Sequence, residues 1–299
     1  KPSLLSKWSP SISLRTAEVL RACLDRQAHE VDFETLLNEL KKGATSSATI
    51  NQAQTRDKQA KAGLERVAAM GQVKHTLQRE VVTAVKDPDS FKSYGLTAAS
   101  SLLFFGPSGC GKTHLSKCLA EELDLLLIQV RPSDIASMYV RESVMRLRNY
   151  FEEAMKNKPC ILFFDEFDGM VPDRTTLAQF QDFRVEEVNE ILTQLDLAKE
   201  KGIFVIAATN QPFTMDPGAF RSGRFDKIIY VGAPDEDDRA ELLQHFMHSR
   251  PAVADLDLEG FAILLDGYSV ADVRAVVEEA ARMALFLGKA PNTQALPTE

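Results

Sequence analysis

The chain has no long apolar stretch: nothing in it approaches the roughly 20 consecutive apolar residues that a membrane helix needs, and no signal-peptide pattern opens it. Cysteine is scarce and scattered. Cys23, Cys110, Cys118 and Cys160 form no CxxC pair and have few histidines near them, which offers neither a zinc site nor a disulfide framework. They read as small buried thiols in a reducing, cytoplasmic setting. No HExxH occurs, so a fused zinc protease is excluded from this chain. Positive charge is also in short supply. Phosphate contacts demand Lys and Arg, so a formal net charge of −8 argues against a broad nucleic-acid surface and leaves room only for a local basic channel.

What is present suits soluble globular protein. A hydrophobic fraction of 44% is enough for a full core, and 299 residues suit two domains. The chain opens on Lys1, which reads as a piece of something longer. Three textures divide it. Residues 1–60 hold helical spacings (Leu20, Cys23 and Leu24; Phe33, Leu36, Leu37 and Leu40) followed by a polar linker over 44–60. Residues 61–234 alternate short apolar runs with helical patterns. The runs are Ser101–Phe105, Leu125–Val130, Cys160–Phe164, Ile203–Ala208 and Lys227–Val231. Short, nearly continuous apolar runs suit strands buried on both faces of a parallel sheet, and their alternation with helices predicts a doubly wound α/β layer. Residues 235–299 switch to helices alone, with an unstructured tail expected from Ala290.

Gly106-Pro107-Ser108-Gly109-Cys110-Gly111-Lys112-Thr113 fits GxxxxGK[ST], with an apolar strand leading in and a helical stretch leading out. Glycines there let backbone N–H groups close around a phosphate at a helix N-terminus. Lys112 is expected to reach the β/γ oxygens of ATP, and the Thr113 hydroxyl to hold Mg²⁺. The run Ile161-Leu162-Phe163-Phe164 delivers Asp165 and Glu166 at a strand end, where open α/β sheets place their ligands. Asp165 is expected to hold Mg²⁺ and Glu166 to orient and deprotonate an attacking water.

With these in place, the stretch from about Gly63 to Glu279 resembles a domain of the AAA+ ATPases (ATPases associated with diverse cellular activities), nearest the clade of protein-unfolding, vesicle-fusion, membrane-remodelling and microtubule-severing motors. The resemblance implies a P-loop NTPase αβα sandwich with a parallel five-stranded sheet and a C-terminal helical lid. Thr209-Asn210 resembles sensor 1, so Asn210 is expected to position the attacking water. Asp216-Pro217-Gly218-Ala219-Phe220-Arg221-Ser222-Gly223-Arg224-Phe225-Asp226 is similar to the second region of homology. Arg221 and Arg224 match its two arginine fingers, which implies a ring of identical subunits, usually a hexamer. Val67-Ala68-Ala69-Met70 aligns with the segment lining the adenine pocket, and Gly267-Tyr268-Ser269-Val270-Ala271 with the lid motif over the nucleotide. Val67, Ala68, Gly267 and Ala271 are therefore expected at ATP or ADP. Ala68, Ala69 and Val270 stand where glycines are common, and the backbone freedom that glycine provides is expected to be lost there.

The same resemblance places Tyr139-Val140-Arg141 at the first pore loop, with Arg141 in the position of a glycine. An aromatic side chain can wedge against a threaded polypeptide with few rotors to freeze. Arg141, with Arg146 and Arg148 nearby, either favours an acidic substrate or pairs with Glu142 on a solvated face. A second, polar pore loop is expected between Val171 and Arg184. Residues 1–43 resemble the end of a preceding ATPase module or an adaptor region. The function expected is ATP-driven remodelling of protein substrates. The competing readings are a nucleic-acid motor or loader and a nucleotide-gated scaffold.

Overall fold

The computed structural model describes residues 62–96, 98–137, 140–177, 182–221, 223–248, 250 and 257–288. The helical and linker segments expected over 1–60, Cys23 and the tail after Ala290 lie outside these residues.

Five strands form one parallel sheet: β1 Ser101–Phe105, β2 Leu126–Val130, β3 Cys160–Phe164, β4 Phe204–Thr209 and β5 Lys227–Tyr230, in the order β2-β3-β4-β1-β5. Each lies within one residue of its expected bounds. The sequence dictates this because every central strand is apolar on both faces. Leu102 and Phe104 of β1, Ile161 and Phe163 of β3, and Ile206 and Ala208 of β4 point into one core. Leu103, Leu162, Phe164, Val205 and Ala207 point into the other. A strand with two buried faces needs helices on both sides, and a parallel pair needs a crossover that supplies them.

The helices, in chain order, begin with α1 Gly71–Leu77, which passes through a π turn at Gln78–Val82 into α2 Thr83–Lys86 and then α3 Pro88–Ser93. Next come α4 Lys112–Leu123, α5 Pro132–Ile135, α6 Val140–Lys156, α7 Phe167–Met170, α8 Arg174–Leu177 and α9 Asp182–Glu200. The first face of the sheet is covered by α4 with Leu115, Cys118 and Leu119, and by Leu77, Val81 and Val82. The second face is covered by α6 with Leu147 and Phe151, and by α9 with Val188, Ile191, Leu192 and Leu195. The result is the three-layer αβα arrangement expected.

A third core follows. Leu242 and Leu243 of α10 (Glu236–Met247), Ala262 of α11 (Leu258–Leu264) and Val273 and Val277 of α12 (Val270–Gly288) pack together with Leu265. Each helix starts on a side-chain cap. Asp235 accepts from Asp238 N at 2.8 Å and Asp257 from Gly260 N at 2.8 Å. Ser269 and Asp272 bond each other's backbone N–H reciprocally, at 3.0 and 3.3 Å. Ala69, which precedes the sheet, is buried in this C-terminal core, so the two ends of the described chain meet beside the phosphate loop.

Candidate nucleotide site

The loop leaves β1 at Gly106 and re-enters helix at Lys112. It closes tightly because two of its glycines have no room for a side chain. A Cβ on Gly106 (φ +150°) would lie 2.1 Å from Val231 O, and one on Gly109 (φ +79°) would lie 2.6 Å from Ser269 Oγ. Lys112 is only 7% exposed. Its Nζ donates to Gly106 O at 2.8 Å and Pro107 O at 2.7 Å, so the cation lies in the mouth of the loop. Burial pushes its ammonium below the usual lysine range, against the pull of Cys110, Asp165 and Asp168. A desolvated cation ringed by backbone dipoles suits a polyphosphate. Cys110 is fully buried and burial pushes its thiol up, so it is a packing residue under the loop.

The carboxylates arrive from β3. The Thr113 hydroxyl, in the first turn of α4, donates to the Asp165 carboxylate, with 3.2 and 3.1 Å to its two oxygens. These are hard oxygen donors, of the kind Mg²⁺ takes beside substrate phosphates; the fit to that ion is good. Glu166 turns the other way. It sits at φ +54°, left-handed for a non-glycine residue, and opens α7 with its side chain exposed. That conformation costs about 1–3 kcal/mol and is the kind of strain kept where a side chain must be aimed. Asn210 is exposed at the end of β4, the strand paired with β3. Thus Lys112, Thr113, Asp165, Glu166 and Asn210 all lie at the C-terminal edge of adjacent strands or at the loop between them.

The segment expected to line adenine is placed beside the loop, but its backbone departs from expectation. Val67 is buried against the base core and Ala68 packs on the C-terminal core. Ala69 (φ +65°) and Met70 (φ +60°) are both left-handed. The freedom that glycine gives is therefore used here, by residues for which it costs about 1–2 kcal/mol each. Asp238 of α10 helps hold the turn, accepting from Met70 N at 3.0 Å. Burial pushes its carboxyl above the usual range despite that bond. From the other side, Ala271 N in the first turn of α12 donates to Gly109 O at 3.0 Å. Gly267 (φ +78°) is exposed in the turn ahead of α12.

Two sets of expected residues are not brought to the loop. Arg221 is exposed, while Arg224 forks onto Asp196 of α9 at 3.0 and 2.9 Å and bonds Gly218 O. Among the described residues neither guanidinium bonds the phosphate loop or the β3 carboxylates. Of the first pore loop, Tyr139 lies outside the described residues, and Val140 and Arg141 are described only as the start of α6. Glu142 pairs with Arg146 at 2.8 Å, and Arg148 with Glu190 at 2.7 Å. Glu142 and Arg146 lie one helical turn apart, where i,i+4 geometry favours an ion pair.

Sequence reasoning missed three contributors. Gln129 Nε2 donates to Asp165 Oδ2 at 3.2 Å. Thr209 Oγ1 donates to Asp168 Oδ1 at 2.7 Å and accepts from Gln211 N at 3.0 Å, fastening the helix after Glu166 to the turn that carries Asn210. Asp238 is the third. The signal for Gln129 was available: it is the single amide in an otherwise apolar strand run.

Among the described residues no helix is long and apolar enough to cross a membrane, and no group of three or more His, Cys, Asp or Glu side chains is placed to hold a metal. Residues 102–233 match the family model for the ATPase family associated with various cellular activities (AAA). That stretch runs from β1 to just past β5 and contains the phosphate loop, both carboxylates, Asn210 and both arginines, so over these residues the chain is similar to that family.

Proposed function

We propose that this chain hydrolyses ATP as one subunit of a homo-oligomeric ring, a hexamer, and uses the energy to remodel or unfold polypeptides drawn through a central pore. The observation that carries the ATPase reading is the convergence of Thr113 and Asp165 beside a buried Lys112 inside the glycine loop. Backbone N–H groups of Gly109 to Thr113 and the Lys112 ammonium would bind the β- and γ-phosphates. Thr113 and Asp165 would hold Mg²⁺, which when bound neutralises charge developing on the phosphoryl oxygens. Glu166 accepts the proton of the attacking water and Asn210 fixes that water's direction. Val67, Ala68, Gly267 and Ala271 frame the base, beneath a C-terminal helical lid that touches the loop through Ala271 and Gly109.

The exposed Arg221, and Arg224 facing away from its own loop, support a role at the neighbouring subunit's nucleotide. Tyr139 with Val140 and Arg141 is the proposed grip on substrate. Among the described residues, the free buried thiols of Cys110, Cys118 and Cys160 support a reducing, cytoplasmic setting. Residues 1–60, 61–234 and 235–299 are the proposed units, the first a candidate adaptor-binding segment.

The test is Glu166→Gln. It should lower Mg²⁺-dependent ATP turnover by roughly 10²–10⁴-fold while nucleotide binding persists, and the ATP-trapped variant should elute as a ring and retain its substrate. Tyr139→Ala should abolish substrate processing and keep basal turnover. Turnover indifferent to Glu166 would sink the ATPase reading. A trapped variant that stays monomeric would sink the ring, and stimulation by DNA or RNA would favour the nucleic-acid motor instead.

A further inference from the structure

We propose that Arg174 is a positioning residue for Arg224, linking the segment that leaves Glu166 to the segment that carries both candidate finger arginines; the inference rests on the finger reading above. After Glu166, α7 ends at Met170 and the chain runs alongside the residues that precede the arginines. Asp216 N donates to Val171 O at 2.9 Å, Asp173 N to Thr214 O at 3.0 Å, and Pro172 and Met215 form an antiparallel bridge. Arg174 closes this short ribbon. Its Nε and Nη2 fork onto Asp216 at 2.6 and 2.9 Å, and its backbone N–H bonds the same carboxylate at 3.2 Å.

Asp216 is only 2% exposed. Burial works against its ionisation, but Arg174 and the Gly218 N–H at 2.8 Å outweigh it and hold the carboxyl below the usual range. The relay then continues through one residue. Gly218 gives its N–H to Asp216 and its carbonyl to the Arg224 guanidinium, whose remaining donors fork onto Asp196. Arg174 also donates Nη1 to Asn189 at 2.5 Å. Asn189 and Asp196 are two turns apart on α9, so both arginines brace against one side of one helix.

A buried ion pair adds little net stability compared with well-packed apolar residues, but it fixes geometry where the geometry matters. Here the pair fixes Gly218, and Gly218 holds the guanidinium that must reach across an interface. The planar fork is essential: a lysine keeps the charge and loses the second bond.

The experiment is a double-mutant cycle on steady-state ATP turnover, with ADP affinity and thermal melting measured alongside. Arg174→Ala should lower kcat by roughly 10–100-fold, as misplacement of a reacting group by about 1 Å does, with ADP affinity unchanged. Arg224→Ala should lower kcat at least as far. The double variant should be no slower than Arg224→Ala alone, because Arg174 acts only through Arg224. Arg174→Lys should recover the melting temperature more fully than kcat, and it carries the same cycle if Arg174→Ala does not fold. Losses that multiply, or a kcat indifferent to Arg174, would overturn the link while leaving the fingers in place. A kcat indifferent to Arg224 would overturn the finger reading and this inference with it.

Discussion

At the scale of the residue, the site turns on how one carboxylate is held. Asp165 receives the Thr113 hydroxyl from the loop side and the Gln129 amide from the edge strand. In the parallel register Gln129 lies opposite Phe163, two residues before Asp165, so both side chains emerge on the face that α4 covers. Groups that orient a metal-holding carboxylate are commonly worth about 10–100-fold in metal affinity. Gln129→Leu should therefore raise the Mg²⁺ concentration needed for half-maximal nucleotide tightening by about 10-fold, within that range. A Mg²⁺ titration of ADP binding reads this directly, and an unchanged midpoint would refute it.

Gly109 makes a companion case. Its missing side chain is what lets Ser269 approach, and its φ of +79° is closed to alanine without strain. Gly109→Ala should lose measurable nucleotide binding while the sheet still folds, seen as retained far-UV circular dichroism without ADP-induced stabilisation. Both residues teach the same lesson about legibility. Gly109, Lys112, Thr113, Asp165 and Glu166 could be read from the sequence because their chemistry lies in contiguous segments. Gln129 stood out only as a lone amide in an apolar run and Asp168 not at all, since their roles depend on which strand end or helix lies beside them, and only the register supplies that.

At the scale of the element, the strands were legible to within a residue because a strand buried on both faces has only one kind of sequence. The helical C-terminal core was legible from pattern as helices, and its place over the loop only through the resemblance of residues 267–271 to a lid motif. Its hydrogen bonds there each use a backbone group (Ala271 N to Gly109 O, and Met70 N to the Asp238 carboxylate), and a backbone group leaves no mark on side-chain pattern. The left-handed conformation of Ala69 was misread for a related reason: an alanine advertises no positive φ. The start of α12 is the element to test. Ser269→Ala removes one half of its reciprocal cap, which should cost about 1 kcal/mol of stability. It should also weaken ADP binding several-fold, because the same turn carries the Ala271 N–H. Melting with and without ADP separates the effects: an equal drop in both would confine the cap to stability.

At the scale of the whole molecule, several carboxyls are held below their usual range. Burial disfavours the charge of Asp226, yet Lys199 and the Ser100 and Ser101 donors outweigh it, as Arg174 does for Asp216. A depressed carboxyl stabilises the fold fully above its unfolded value near pH 4, and that contribution is lost as pH falls through the folded value. His114 acts earlier. Burial lowers its folded value, so stability begins to fall as pH drops below about 6.5, where the unfolded imidazole takes up its proton. Asp238, pushed up by burial, works in the opposite direction just above pH 4. The melting temperature should therefore be nearly level from pH 8 to 7, slope gently below about 6.5, and drop steeply below about 4. Asp216→Asn should flatten the steep part, and a parallel curve for that variant would contradict the assignment.

The helix α9 has a mechanical consequence. At 19 residues it is a rod about 28 Å long, packed along the sheet by Val188, Ile191, Leu192 and Leu195. Asn189, Asp196 and Lys199 fasten it to Arg174, Arg224 and Asp226. A rod anchored at three places along one edge cannot swing at one end and stay still at the other. A sideways load taken up near the start of α9 would reach Arg224 as displacement rather than dissipate as bending. In the proposed ring, work done on a substrate and the placement of a guanidinium next door would then be one motion, carried by a single stiff member.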